Sequence, residues 1–223
     1  MKVFKNQLWH IILLLVLLLG VKTIINYNPS ILKGSLLGIN THAWLNLSII
    51  IPIVHQIYVL ICWRLELYYK SLSKKFGKNS FSYYKKLFII LILSRPISVI
   101  TLSISNSNSI HIDIISYWII IILLLIPGIY AQYSVAKFFS FNRAFGIDHF
   151  KPNDYKNVPF VEKGIFKYTS NGMYIFAFLL IWLPGIIFES KAGLLIALFQ
   201  HLYIWVHYYF TELPDIKYIY GKK

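Results

Sequence analysis

Long apolar runs alternate along this chain with short polar segments that hold nearly all of its charge. A helix needs about 20 mostly apolar residues to cross a hydrocarbon core of roughly 30 Å. Six stretches fit or approach that length: 8–25, 45–63, 87–104, 114–135, 174–188 and 192–210. The fifth is shorter and carries Pro184, and only Glu189, Ser190 and Lys191 separate it from the sixth, which predicts a tight helical hairpin. The runs are continuous, without the polar alternation of barrel strands, so helices are expected. Lys2 and Lys5 precede the first run as in a signal peptide, but no small-x-small cleavage site follows Gly20, so this run is expected to be retained. The predicted fold is all-α: a polytopic membrane protein with about six transmembrane helices, a C-terminal helical hairpin and a long loop before it.

Composition agrees. Apolar residues make up 57% of the chain and charged ones 13%, against about 45–50% and 25% in ordinary soluble domains. Mean hydropathy is +0.62. The net charge of +14 would suit a nucleic-acid partner if it formed one surface. Allocated to a six-span topology, however, 18 of the 22 basic residues fall on one side, in the N-terminus, 64–86, 137–167 and the C-terminal tail. Lys22, Lys33 and Lys191 fall on the other side, and Arg95 lies within the third span. By the positive-inside rule both termini are expected in the cytoplasm, and the surplus reports topology, so no nucleic-acid partner is expected. Lysines 70, 74, 75, 78, 85 and 86 suit anchoring to anionic headgroups. Cys62, the single cysteine, excludes an intramolecular disulfide and any cysteine-based zinc cluster. Lysine-rich, arginine-poor usage with abundant Ile and Asn points to an AT-rich genome and a bacterial inner membrane.

The loop 136–173, between the fourth run and the hairpin, is long for a membrane-protein connection. Aromatic residues from Phe141 to Tyr168 are spread through it, so it is expected to fold against the membrane face or over a ligand. Its segment Gly164-Ile-Phe-Lys-Tyr168-Thr-Ser-Asn-Gly-Met-Tyr174 resembles the Gly-Pro-Tyr-Arg-Tyr-x-Arg-His-Pro-x-Tyr segment of the integral-membrane methyltransferases. These include the isoprenylcysteine carboxyl methyltransferases and the phospholipid N-methyltransferases. Thr211-Glu212-Leu-Pro-Asp215 stands where that family places an acidic motif after the hairpin. The resemblance covers roughly 115–221, so 1–113 is set apart as N-terminal transmembrane helices and 114–223 as the methyltransferase-like region. Ser170, Asn171 and Gly172 depart from the usual Arg, His and Pro, and Thr211 replaces a common second Glu.

The resemblance implies S-adenosylmethionine as cofactor and a lipid or small hydrophobic acceptor reached through the bilayer, with a phospholipid amine the first choice. It implies cofactor contacts from Gly164, Lys167, Tyr168, Ser170, Asn171, Gly172, Met173, Tyr174 and Glu212. Methyl transfer needs no metal; the protein aligns donor and acceptor and excludes water. Glu212 suits the donor's ammonium, and Glu212 or His207 is the candidate base for an amine. His201, Trp205, Tyr208 and Glu212 recur at spacings that share one helical face, which nominates His201 and Trp205 as substrate contacts. Arg95 is the third, since intramembrane charge needs a partner, either a lipid phosphate or Glu66. His55-Gln56 is expected to hydrogen-bond between helices, and no metal site is expected at Asp148-His149. Two competing assignments are a nicotinamide-dependent reductase resembling the steroid 5-alpha-reductases and a non-enzymatic scaffold. The first lacks the acidic residue expected shortly after Tyr174, and the folded loop disfavours the second.

Overall fold

The computed structural model describes residues 2–221. Its principal helices are α1 (Gln7–Tyr27), α2 (Thr41–Tyr69), α3 (Ser80–Ser105), α4 (Ile114–Ser134), α5 (Lys191–His207) and α6 (Leu213–Tyr220). Among the described residues, four helical stretches are long and apolar enough to cross a membrane: Lys2–Tyr27, Thr41–Tyr69, Ser71–Ser105 and Ile114–Phe139. The first four predicted spans are all present, and the second and third extend further toward the basic end than the apolar runs did.

The fifth predicted span differs from a regular helix. Its chain runs through a short α-turn at Gly172–Ile175, a 3-10 segment at Ala177–Trp182 and a second turn at Leu183–Ile187. Pro184 sits at the start of the second turn, where its missing N–H breaks no intrahelical bond. The sixth stretch contains α5, then a π-turn at Tyr208–Glu212 that leads into α6.

Helix α5 is the axis of the bundle. Ala192, Ile196, Ala197, Phe199 and Tyr203 are fully buried on it, packed against Val21 of α1, Leu45 of α2 and Val99 and Leu102 of α3. A helix apolar on every side belongs in such a central position. Helices α1 and α4 instead leave most of their leucines and isoleucines exposed on the outside, as lipid-facing helices must. Gly185 and Gly193 allow the segment before α5 to pack closely on it: a Cβ on Gly193 would lie 2.9 Å from Gly185 Cα and 2.1 Å from Ser103 Oγ. Small residues at such crossings allow the close approach on which packing in lipid depends. The connection into α5 is tied to the α3–α4 turn, where Asn106 Oδ1 accepts from Ala192 N at 3.0 Å and Glu189 Oε1 accepts from Ile112 N at 2.7 Å.

Candidate active site

At the basic-rich end, loop 140–171 folds back across the helix ends and encloses a cavity of about 770 Å³. Among the described residues Trp63 is its only wall from the first 113; the rest comes from 139–221. Two π-turns flank it, Val135–Phe139 after α4 and Tyr208–Glu212 after α5, and Phe139, Tyr208 and Glu212 line it. A π-turn inserts one residue into the helical register and re-aims the side chains after it.

A buried polar network supports the floor. Asp148 Oδ1 accepts from His149 Nδ1 at 2.9 Å, and Asp148 Oδ2 accepts from the Tyr220 hydroxyl at 2.8 Å. Arg143 Nε donates to the same Tyr220 oxygen at 3.2 Å. The other His149 nitrogen, Nε2, lies 3.7 Å from Asp215 Oδ2. Burial would lower the His149 pKa, but the Asp148 carboxylate beside it and Asp215 reverse this and raise it to about 9. Burial likewise acts to raise Asp148, and the His149 charge and hydrogen bonds hold it below the usual carboxylate range instead. The His149 ring stacks on Trp63 at 4.1 Å between centroids, and Trp63 Nε1 donates to the Tyr84 hydroxyl at 2.7 Å. Gly146, at φ +83°, permits this stack, because a Cβ there would fall 2.3 Å from the indole.

Arg64 fastens the ends of the chain beside this network. Its Nε donates to Asp215 at 3.2 Å, Nη1 to the carbonyls of Val3 and Lys5 at 2.9 and 2.7 Å, and Nη2 to those of Phe210 and Thr211 at 3.0 and 3.2 Å.

A second cavity of about 460 Å³ lies deeper among the spans, and its lining is largely apolar, from Val59, Phe88 and Ile92 to Phe178 and Ile204. His55, Gln56, Arg95 and His207 are the polar exceptions, together with Gln132 and Glu212. The two cavities share Trp63, Ala144, Met173, Tyr174 and Glu212. On that common wall the Tyr174 hydroxyl donates to Glu212 Oε2. Burial at the cavity rim pushes the Glu212 carboxyl up to about 7, against the opposing pull of Tyr174 and the His149 charge.

Residues 117–223 match the family model described as phospholipid methyltransferase. This region is of the phospholipid methyltransferase family. Together with the four long apolar helices, this match makes the chain an integral membrane protein with a methyltransferase-family region at 117–223. No curated protein and no solved structure matches the chain.

Within the methyltransferase-family region, Lys167, Tyr168, Ser170, Asn171, Met173, Tyr174 and Glu212 all line the larger cavity. Gly164 and Gly172 do not. A Cβ at Gly164 would lie 2.5 Å from Ser134 Oγ and one at Gly172 2.8 Å from Ile165, so both are packing positions beneath the loop. His207 and Arg95 line the deeper cavity. His201 and Trp205 line neither: His201 Nδ1 accepts from Trp182 Nε1 at 3.0 Å, and Trp205 packs against Tyr174, Tyr208 and Tyr209. The single helical face expected for His201, Trp205, Tyr208 and Glu212 is broken by the π-turn. Glu66 is not the partner of Arg95, because it accepts from Ser73 N and Oγ. His55 and Gln56 do not bridge helices either: both His55 ring nitrogens and Gln56 Nε2 are buried without a partner.

Asp148, His149, Tyr220, Arg143, Trp63 and Arg64 gain weight only from the structure. Asp148-His149 was visible as a charged pair among aromatics. The others are brought together across more than 60 residues of sequence, and no local pattern marks them.

Proposed function

We propose that this chain is an S-adenosylmethionine-dependent methyltransferase acting on a lipid or small hydrophobic acceptor, with a phospholipid amine as the favoured class. The wall shared by the two cavities carries the proposal. A chamber at the basic-rich end, lined by charged and hydroxyl groups among its aromatics, meets a more apolar chamber among the spans at Tyr174, Met173 and Glu212, which is the arrangement a transfer between a soluble donor and a lipid requires.

The larger chamber has the size of a cofactor site, and its residues suit this donor. The Glu212 carboxylate offers a partner for an ammonium, and Tyr168 and Tyr208 offer aromatic faces to a cation. Lys167 and the Ser170-Asn171 turn suit the donor's carboxylate and hydroxyls, and buried His149 Nε2 has no hydrogen-bond partner. When bound, S-adenosylmethionine supplies the methyl group: the acceptor nitrogen forms the N–C bond as the C–S bond breaks, and the pair stays on sulfur as a neutral thioether. The surplus proton of the methylated nitrogen leaves the chamber for bulk water, and His207, whose two ring nitrogens are buried in the acceptor chamber without a partner, is placed to relay it. Glu212 remains with the donor. Met173 and Trp63 keep water from the junction.

Six membrane crossings with both termini in the cytoplasm complete the proposal, with residues 1–113 a helical platform and 114–223 the methyltransferase-like region. The chain usage supports a bacterial inner membrane. The passage Gly172–Ile187 is short for a helix, but its 3-10 part rises about 2.0 Å per residue, so the whole spans roughly 27 Å. That length, and the concentration of basic residues at one end, support the fifth crossing.

The test is binding of S-adenosylmethionine or its demethylated product to the full-length protein in nanodiscs, followed by labelled-methyl transfer to co-purified lipid read by mass spectrometry. Micromolar binding and a labelled lipid amine are expected. Binding of NADPH without either methyl-donor ligand would overturn the proposal.

A further inference from the structure

Arg95 sits in the middle of α3 and is 1% exposed. Its Nε donates to Gln200 Oε1 at 2.9 Å, and its guanidinium lies 4.9 Å from the Phe178 ring centroid. Neither Nη1 nor Nη2 has a hydrogen-bond partner, and among the described residues no carboxylate lies within 4 Å of it. Glu212, the one acidic residue lining the same cavity, is engaged with Tyr174.

The neighbouring polar groups on this cavity share the same deficiency. Both ring nitrogens of His55 and the amide nitrogen of Gln56 are buried and unpartnered. A predominantly apolar chamber thus gathers a fixed positive charge and several unused donors, and among the described residues no carboxylate within 4 Å answers Arg95. A guanidinium presents its two terminal nitrogens as a fork that matches a phosphate or carboxylate edge. Within a membrane such a charge is retained where it meets a partner or a pathway.

We propose that Arg95, assisted by Gln56 and His55, is an oxyanion site that selects the occupant of the membrane cavity by a phosphate ester group. The group is that of an amphiphile whose chains lie in the apolar part of the chamber. These residues lie outside the family-matched segment, so acceptor selection belongs to α2 and α3 and donor binding to 139–221. This deepens the acceptor half of the proposed function, although its support is the surroundings of Arg95 alone.

The experiment measures ligand-induced thermal stabilisation of the full-length protein in a neutral detergent. Its probes are dihexadecyl phosphate, hexadecanol and inorganic phosphate. Dihexadecyl phosphate is expected to stabilise the wild type and the other two are not. Arg95→Gln should weaken its apparent affinity at least tenfold, and Arg95→Lys should fall between, each variant still melting in one cooperative transition. Equal binding of hexadecanol by the wild type, or unchanged binding of dihexadecyl phosphate by Arg95→Gln and Arg95→Lys, would overturn the site. Inorganic phosphate binding as tightly as the lipid would overturn the amphiphile as its source. The wild-type ligand comparison decides the matter even where a variant fails to fold. S-adenosylhomocysteine is titrated in parallel: its failure to bind, with Arg95-dependent lipid binding intact, would remove the methyltransferase proposal and leave the oxyanion site standing.

Discussion

Glu212 gives the most quantitative handle on donor binding. Its carboxyl is raised from 4.5 to about 7 by burial, so it loses its charge as pH falls through neutrality. A donor held through its ammonium needs the ionised form. With a pKa of 7, the ionised fraction sets an apparent dissociation constant that is about 30-fold weaker at pH 5.5 than at alkaline saturation, and about twofold weaker at pH 7. Below pH 7 the other groups stay nearly constant: His149, at about 9, remains cationic, Asp148 is held low and remains anionic, and the donor's own amine, near 7.7–8.0, starts to lose its proton only toward pH 7.5, so the slope is read between pH 5.5 and 7. Binding below pH 7 should also release close to one proton, because the cation favours the carboxylate. Isothermal calorimetry at pH 5.5 to 7.5, in buffers of different ionisation enthalpy, reads both quantities. Glu212→Gln should lose affinity at pH 7.5 and give a flat profile. A flat wild-type profile, or a Glu212→Gln profile with the wild-type slope, would refute this role.

Three further outcomes follow from the surrounding framework. Removing Arg64 takes from buried Asp215 its closest cation and from four carbonyls a shared donor, so Arg64→Gln should cost about 3–5 kcal/mol and loosen the N-terminal segment, read as faster tryptic cleavage at Lys5 than in the wild type. Gly146→Ala combines a left-handed φ with a Cβ inside the Trp63 indole, a strain of about 1–2 kcal/mol plus overpacking of about 1–3 kcal/mol. Gly38→Ala, with φ +76° but open space, should incur the backbone cost without the overpacking, and thermal midpoints of the two variants separate them. Because His149 is raised from 6.5 to about 9 despite its burial, by the Asp148 charge above all, its contribution is complete below about pH 6.5 and disappears as pH rises through 9. The midpoint should fall across that window in the wild type and less steeply in His149→Gln.

The long-range architecture was legible where one-dimensional pattern decides it. Apolar length located α1 to α4, and the charge distribution identified the end at which the loop folds. Residues 167–171, Met173, Tyr174 and Glu212 line the larger cavity while Gly172 packs beneath the loop, so a short segment brings most of its side chains to one place. Helical spacing did not carry His201 and Trp205 to either cavity with Glu212, since one π-turn at Tyr208–Glu212 shifts the register between them and the acidic residue. Nothing in the composition of that segment forecasts an i→i+5 turn. Spacing also could not bring Arg64 to Asp215 or His149 to Trp63, since those contacts depend on how α2 meets the loop and α6.

Arginine usage supplied a signal that position alone did not. The chain holds 19 lysines and only three arginines, Arg64, Arg95 and Arg143. All three are buried, at 1%, 1% and 9% exposure, whereas the exposed basic positions are lysines. A lysine suffices where a solvated positive charge is needed, but a buried cation must spread its charge and fill several acceptors from fixed directions, which the guanidinium does and the ammonium does not. Arg64 uses every nitrogen this way, on one carboxylate and four carbonyls. Arg143 lies over Phe139 and Tyr220 at 4.9 and 5.3 Å and bonds the Tyr220 hydroxyl. Arg95 differs in having its two terminal nitrogens unmatched by the protein. By the same physical requirement, the acceptor oxygens that complete it come from a ligand, and that ligand enters from the membrane side of the wall formed by Tyr174 and Glu212.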